Sequence, residues 1–244
     1  MKNMNDLGKK IIDSALSLGA KEAEVFIINS KNTKITVRDF DVEDIHQANE
    51  QGLALRIFKD NKLGFHYSTN LDINNINNIS KSAIDNALEN EADEYNFLNN
   101  SPEKITIYPD IYDQQLIDTP ISDKIELTKS IEKTAKSTDK RVIKTEYVSF
   151  DETIHNILLI NSHCFENNYK GTVCGGMAEL IAEENGSMET GFGFLYSTHI
   201  SRFDPVFVGK EAEEDAVSML CAPSIDTASS AASFPTNTGS NLLI

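Results

Sequence analysis

A zinc hydrolase usually needs two histidines one helical turn apart with a glutamate beside them, so that both imidazoles meet one metal and the carboxylate reaches its water. The chain has five histidines, and none is placed in that way. His46 is followed by Gln-Ala-Asn-Glu, His66 by Tyr-Ser, His155 by Asn-Ile, His163 by Cys-Phe-Glu and His199 by Ile-Ser. Neither HExxH nor HExxxH occurs, so the expectation is that the chain carries no metal site and no catalytic residue of its own.

The densest group of candidate ligands is His155, His163, Cys164 and Glu166. On extended backbone His163 and Cys164 point to opposite faces and cannot share a metal, whereas in a turn that objection lapses. Ligand spacing is absent in both cases, which favours surface or turn residues. Cys164, Cys174 and Cys221 form no CxxC pair and are an odd, sparse set, so reduced structural thiols are expected. The run Gly171-Thr-Val-Cys-Gly-Gly lacks the GK[ST] ending of a phosphate loop and sits in a strand pattern, so it reads as a bulge or a close backbone approach. Glu183 and Glu184 are neighbours on a strand and face oppositely, which suits one exposed and one paired carboxylate better than an acid and base couple.

The elements that would position these residues alternate between helical and extended patterns. Leu7, Ile11, Ala15 and Leu18 predict a helix over 4–18, closed by Gly19. Short strands follow at 23–30, 33–39 and 42–48, separated by polar breaks, and then 52–58 and 63–69 flank a hairpin connector at 59–62. Asp72 is placed to cap a second helix with the stripe Ile73, Ile76, Ile79, Ala83 and Ala87. Residues 91–118 read as a connecting region, and a third helix begins near Ser122 with Ile121, Ile125, Ile131 and Ala135 inward. Strands return at 142–150, 152–161, 171–184 and 188–198, the last two joined by Asn185-Gly186, the pair best suited to a type I′ turn. A final helix over 209–220 turns Ala212, Ala216 and Met219 inward and its run of acids at 211–215 largely outward to solvent. The Ser-, Ala- and Thr-rich residues 223–241 offer too little apolar surface to order themselves, and self-association is expected from surface left uncovered.

Charge narrows the classes further. With 22 Lys plus Arg against 38 Asp plus Glu, the formal charge of −16 repels phosphate backbones and anionic membranes. No run approaches the roughly 18 apolar residues a membrane span requires, and the polar start lacks a signal-peptide core. A cytoplasmic protein without nucleic-acid or membrane partners is the expectation.

Taken as a set, GAKEAEVFIINS (19–30), GLALRIFKDNKLGFHYSTNLD (52–72) with the helix after it, Asn161-Ser162, IAEENGSME (181–189) and VGKEAEEDA (208–216) resemble the N-terminal part of the TldD/PmbA family, also called modulators of DNA gyrase. The AEENG-x-ME stretch is more similar to the PmbA, or TldE, side. Arg56, Gly64, Asn161, Ser162, Glu183, Glu184, Asn185 and Gly186 carry the motif and are read as structural. The resemblance implies a protease pair in which a TldD-like partner holds zinc through an HExxxH helix that PmbA lacks. It also implies a C-terminal domain of similar size, with this chain stopping before any zinc ligand. Cys164 and Cys221 stand where family-like glycines are expected, at a cost of about 1 kcal/mol if those positions have positive φ.

These readings converge on an α+β fold of helices packed on antiparallel sheet, with a candidate division into subdomains 1–95 and 96–222 and a truncated tail at 223–244. The leading function is a non-catalytic subunit or fragment of a metallopeptidase complex in peptide processing, with no cofactor in this chain. Its expected partners are a TldD-like or self-associating homologous subunit and a peptide. The alternative is a non-enzymatic peptide-binding or scaffolding domain that uses a sheet edge.

Overall fold

Leu7, Ile11, Ile12 and Ala15 fall on one side of helix α1 (Met4–Ser17), and all are buried there. Gly19, at a φ of +95°, turns the chain out of the helix. The computed structural model describes residues 4–99, 109–137, 139–220, 222, 226 and 227, and beyond α1 it runs into a long meander. Strands β1 (Glu22–Arg38), β2 (Asp41–Lys59) and β3 (Lys62–Ser68) lead to α2 (Ile76–Glu89). The short α3 (Gln114–Asp118) and α4 (Ile121–Ser137) precede β4 (Val142–Asn161), β5 (Glu166–Glu184), β6 (Ser187–Ser197) and α5 (Pro205–Met219). The six strands form one antiparallel sheet in the order β3-β2-β1-β4-β5-β6, so the α+β class holds, built on a single sheet.

Three polar stretches predicted to interrupt strands do not. Residues 31–32, 49–51 and 151 lie inside β1, β2 and β4, where Lys31 is registered with both Asn49 and Ile154. A central strand satisfies its backbone on both sides, so a polar side chain there needs only an outlet to water. The predicted Asn-Gly hairpin is present, with Asn185 at φ +52° and Gly186 at +84°, and Asp60 and Asn61 close the β2–β3 hairpin at +53° and +58°.

The sheet carries two apolar cores on the same face. Val25 and Ile27 of β1 and Leu158 and Ile160 of β4 join the first, beneath α1 and α2. Further along the same two strands, Ile35, Val37, Val148 and Phe150 join the second, beneath α4 and α5. Gly64 seats α2, since a Cβ there would lie 2.1 Å from the Ala83 carbonyl oxygen. Gly191 and Gly193 admit α5 in the same way, against the backbone of Ala212 and Val208.

Several inward and outward assignments are corrected. Ile73, Ile121 and Met219 are exposed, whereas Lys124, Glu132 and Glu213 are buried. The last helix starts at Pro205 rather than 209, because Asp204 accepts hydrogen bonds from the Val206 and Phe207 N–H groups and Pro205 occupies the first turn. Within 91–118, read as a connector, Leu98 and Leu116 are fully packed and Asp113 is buried. The Leu98 N–H donates to Glu22 at 2.7 Å. Cys221 and almost all of residues 223–244 lie outside the described residues.

Candidate functional site

The motif residues lie on strands β2, β3, β4 and β5 and in the turns that follow β4 and β5. Arg56 pairs with Glu24 across β2 and β1 at 2.6 Å. Asn161 accepts hydrogen bonds from the His163 and Phe165 N–H groups, and Ser162 exchanges bonds with Ala23, its N–H donating at 2.8 Å and its Oγ accepting at 3.1 Å. Residues 162–164 therefore form a turn, with Cys164 at φ +62°. His163 lies 3.4 Å from Glu22, while His155 stacks edge-on to Tyr169 and packs over Gly171. A Cβ at Gly171 would come within 2.3 Å of the His155 ring, so this glycine permits a close approach rather than cradling a phosphate. Glu184 pairs with Arg141 at 3.3 Å, and the Glu183 N–H donates to the Arg141 carbonyl.

The strained turn gives a direct prediction. A left-handed non-glycine residue costs about 1–2 kcal/mol, and glycine costs about 0.5–1 kcal/mol more than alanine to order. Cys164→Gly is expected to raise stability by about 0.5–1 kcal/mol in urea unfolding, and a lower midpoint at unchanged slope would refute the strain account.

Among the described residues no set of acid, base and nucleophile converges. Burial, with the Asp113 and Glu152 carboxylates, pushes the Cys174 thiol up to about 12, which keeps it protonated and unreactive. Burial also lowers the His155 pKa, favouring neutral imidazole. Burial and Asp151 push the Tyr196 phenol up to about 12. Among the described residues no group of three or more His, Cys, Asp or Glu side chains is placed to hold a metal ion.

Three surfaces remain. The first is the sheet edge, and it is already engaged. On β3 the Asn86 and Asn90 amides donate to the Phe65 and Leu63 carbonyls, each at 2.7 Å. On β6 the Phe192 and Phe194 N–H groups donate to Asp215 at 3.0 Å and Glu211 at 2.9 Å. These acids, read in sequence as a solvated face, thus cap the edge, and an added strand would find those groups occupied.

The second surface is the sheet face opposite the two cores, which no helix covers among the described residues. The registers align Tyr67 and Phe65 of β3, Phe26 of β1 and Phe192, Phe194 and Tyr196 of β6 on this face, all exposed.

The third is a cleft on the core side, between the two helical layers. Here the core-facing positions change from apolar to polar, with Asn29 and Lys31 on β1, Asn49 and Gln51 on β2, Asn156 on β4 and Lys170 on β5. With Tyr112 and Ile117 they bound about 370 Å³, and a neighbouring cleft of about 440 Å³ shares Asn29 and Gln51. The signal for this cleft was in the sequence, as polar residues at the same strand parity as the flanking Ile27 and Ile35. A break in chain was the wrong inference from it.

Comparison with known proteins agrees with this architecture. The family model described as PmbA/TldA metallopeptidase domain 1 matches residues 23–91, and the one described as PmbA/TldA metallopeptidase central domain matches 115–220. The chain is 24% identical over 223 residues to the metalloprotease PmbA of Escherichia coli O157:H7, covering 90% of this chain and 50% of that protein. It is 27% identical over 237 residues to a metalloprotease PmbA homolog of Buchnera aphidicola, covering 94% and 52%. It therefore spans about half the length of the curated relatives it matches. Among solved structures, a Bacteroides thetaiotaomicron protein assigned as a modulator of DNA gyrase superposes with a TM-score of 0.83 at 23% identity, over 92% of this chain and 52% of that one. TldE from Thermococcus kodakarensis superposes at 0.72 and 16% identity, over 88% and 47%. These likenesses establish the fold.

Proposed function

The chain belongs to the TldD/PmbA family, and from that premise we propose that it acts in the cytoplasm as a non-catalytic subunit, or the N-terminal part of one, in a metallopeptidase assembly for peptide processing. The observation that carries this reading is the helix-free aromatic face, joined to the lack of any converging catalytic set among the described residues. Exposed aromatic residues spread across a sheet match the composition of interface cores. The occupant we assign to it is a homologous, zinc-bearing subunit of the same family, because the family is metallopeptidase-like and an exposed aromatic sheet face suits a protein interface.

Co-expression with an HExxxH-bearing homologue tests this. The expected result is a complex whose peptidase activity a zinc chelator abolishes, while the chain alone holds no stoichiometric zinc after dialysis. Phe194→Asp, exposed on the proposed interface, is expected to reduce recovery of the complex at least tenfold. About one zinc per isolated chain by elemental analysis, or intact co-purification of the Phe194→Asp variant, would overturn the reading.

A further inference from the structure

We infer that the polar cleft between the two helical layers is a binding site for an extended peptide bearing a free C-terminal carboxylate. The choice of a peptide rests on the function proposed above, whereas the site itself rests on geometry. One sheet face carries an apolar core toward each end, and its middle, between the two helical layers, is lined mainly by polar side chains. A strand side chain facing between two cores is polar without penalty only if water or a ligand satisfies it.

The lining chemistry selects the ligand. Amide side chains of Asn29, Asn49, Gln51 and Asn156 offer both donors and acceptors, the complement of peptide groups. Mid-sheet strands have no free backbone groups, so a peptide lying over them must be read by side chains, unlike one that adds to an edge. The Asn29 and Asn156 Nδ2 groups both donate to the Met4 sulfur, at 3.0 Å and 3.3 Å. The Asn156 Oδ1 is buried with no hydrogen-bond partner, an acceptor that awaits a donor such as a peptide N–H.

Charge supplies the other half. Lys31 and Lys170 line the cleft, and among the described residues neither forms an ion pair, although the chain has a formal charge of −16. Lys170 Nζ stands 5.8 Å from the centroid of the Tyr112 ring, which holds the ammonium at the wall of the cleft. Glu50 is the one acid in the lining, and its carboxylate already accepts from Asn32 at 3.2 Å. The two free ammonium groups therefore favour a carboxylate, and the amides favour the peptide that carries it.

The test is protein-observed amide NMR on the full chain, titrated to millimolar concentration with a mixed tetrapeptide pool, once with free C-termini and once amidated. The free-acid pool is expected to shift the side-chain amide signals of Asn29, Asn156 and Gln51 and to bind at least tenfold tighter than the amidated pool. Lys170→Glu and, separately, Lys31→Glu are each expected to remove that preference while leaving the rest of the spectrum folded. Equal binding of both pools, no shift at these amides, or a preference unchanged in both variants would overturn the proposal. The zinc-bearing partner plays no part in this titration, so the site and the assembly proposed above can fail independently.

Discussion

Replacing Glu132 by alanine is expected to destabilise the fold by about 3–5 kcal/mol, the range for removing one member of a buried charged network. The side chain is fully buried on α4 and accepts four hydrogen bonds or ion contacts. Two come from the N–H groups of Asp39 and Phe40 at 2.9 Å and 2.8 Å, one from Thr145 Oγ1 at 2.6 Å and one from Lys136 Nζ at 3.0 Å. Asp39 and Phe40 form the β1–β2 turn, with φ of +52° and +65°. Aspartate tolerates this region better than most residues, but Phe40 does not, and its conformation costs about 1–2 kcal/mol. The Glu132 carboxylate holds the turn in place, assisted by Lys136, which binds Asp39 at 2.8 Å and lies 5.0 Å from the Phe40 ring centroid. Alanine would leave the turn strained, its partly buried N–H donors unanswered and the buried Thr145 hydroxyl without its acceptor. A loss under about 1 kcal/mol in urea unfolding would sink this account.

The same carboxylate predicts a pH signature. Burial raises its pKa, but the bonds from Thr145, Phe40 and Lys136 outweigh that effect and hold it below the ordinary carboxylate value. A group depressed in the folded state contributes stability above its unfolded pKa and loses it as pH falls through the folded one. The native chain should therefore lose stability from about pH 4.3 downward, and Glu132→Ala should lose less over that interval.

This turn shows why part of the fold was illegible. The Asn185-Gly186 hairpin was readable because its residues themselves tolerate positive φ. At Asp39-Phe40 the tolerance comes from a helix 92 or 93 positions away in sequence, and no local pattern records that. The buried face of α4 hid for a related reason. Periodicity assigned Ile121 to the core and did not assign Lys124 or Glu132 to it, because hydrophobic pattern ranks side chains by their own polarity and not by partners on another element. The long strands were misread as fragments where Lys31, Asn49 and Asp151 interrupt the apolar alternation. Those interruptions mark the cleft and the open face, so the segments that pattern reading discards are where the candidate sites lie.

Lys124 and Glu152 carry the other large expected effect. Lys124 reaches from α4 to Glu152 on β4, and both side chains are almost wholly buried and in direct contact. The pair sits beside the second core, with Cys174 registered directly across from Glu152 on β5. Desolvating two charges is expensive, and their attraction offsets that cost only while both are present. Lys124→Met should therefore cost about 3–5 kcal/mol by leaving the buried Glu152 carboxylate without its cation. The double variant Lys124→Met with Glu152→Leu removes both the attraction and the desolvation, and it should recover most of that loss or exceed native stability by about 1–4 kcal/mol. Urea unfolding of the native chain, both single variants and the double variant closes the cycle. A double variant as unstable as Lys124→Met alone would show that the stem of Lys124 matters through packing, and a single variant within about 0.5 kcal/mol of native would show that Glu152 finds another partner. The expected outcome, costly singles with a benign double, would show that each charge is tolerated in the interior only because the other offsets its desolvation.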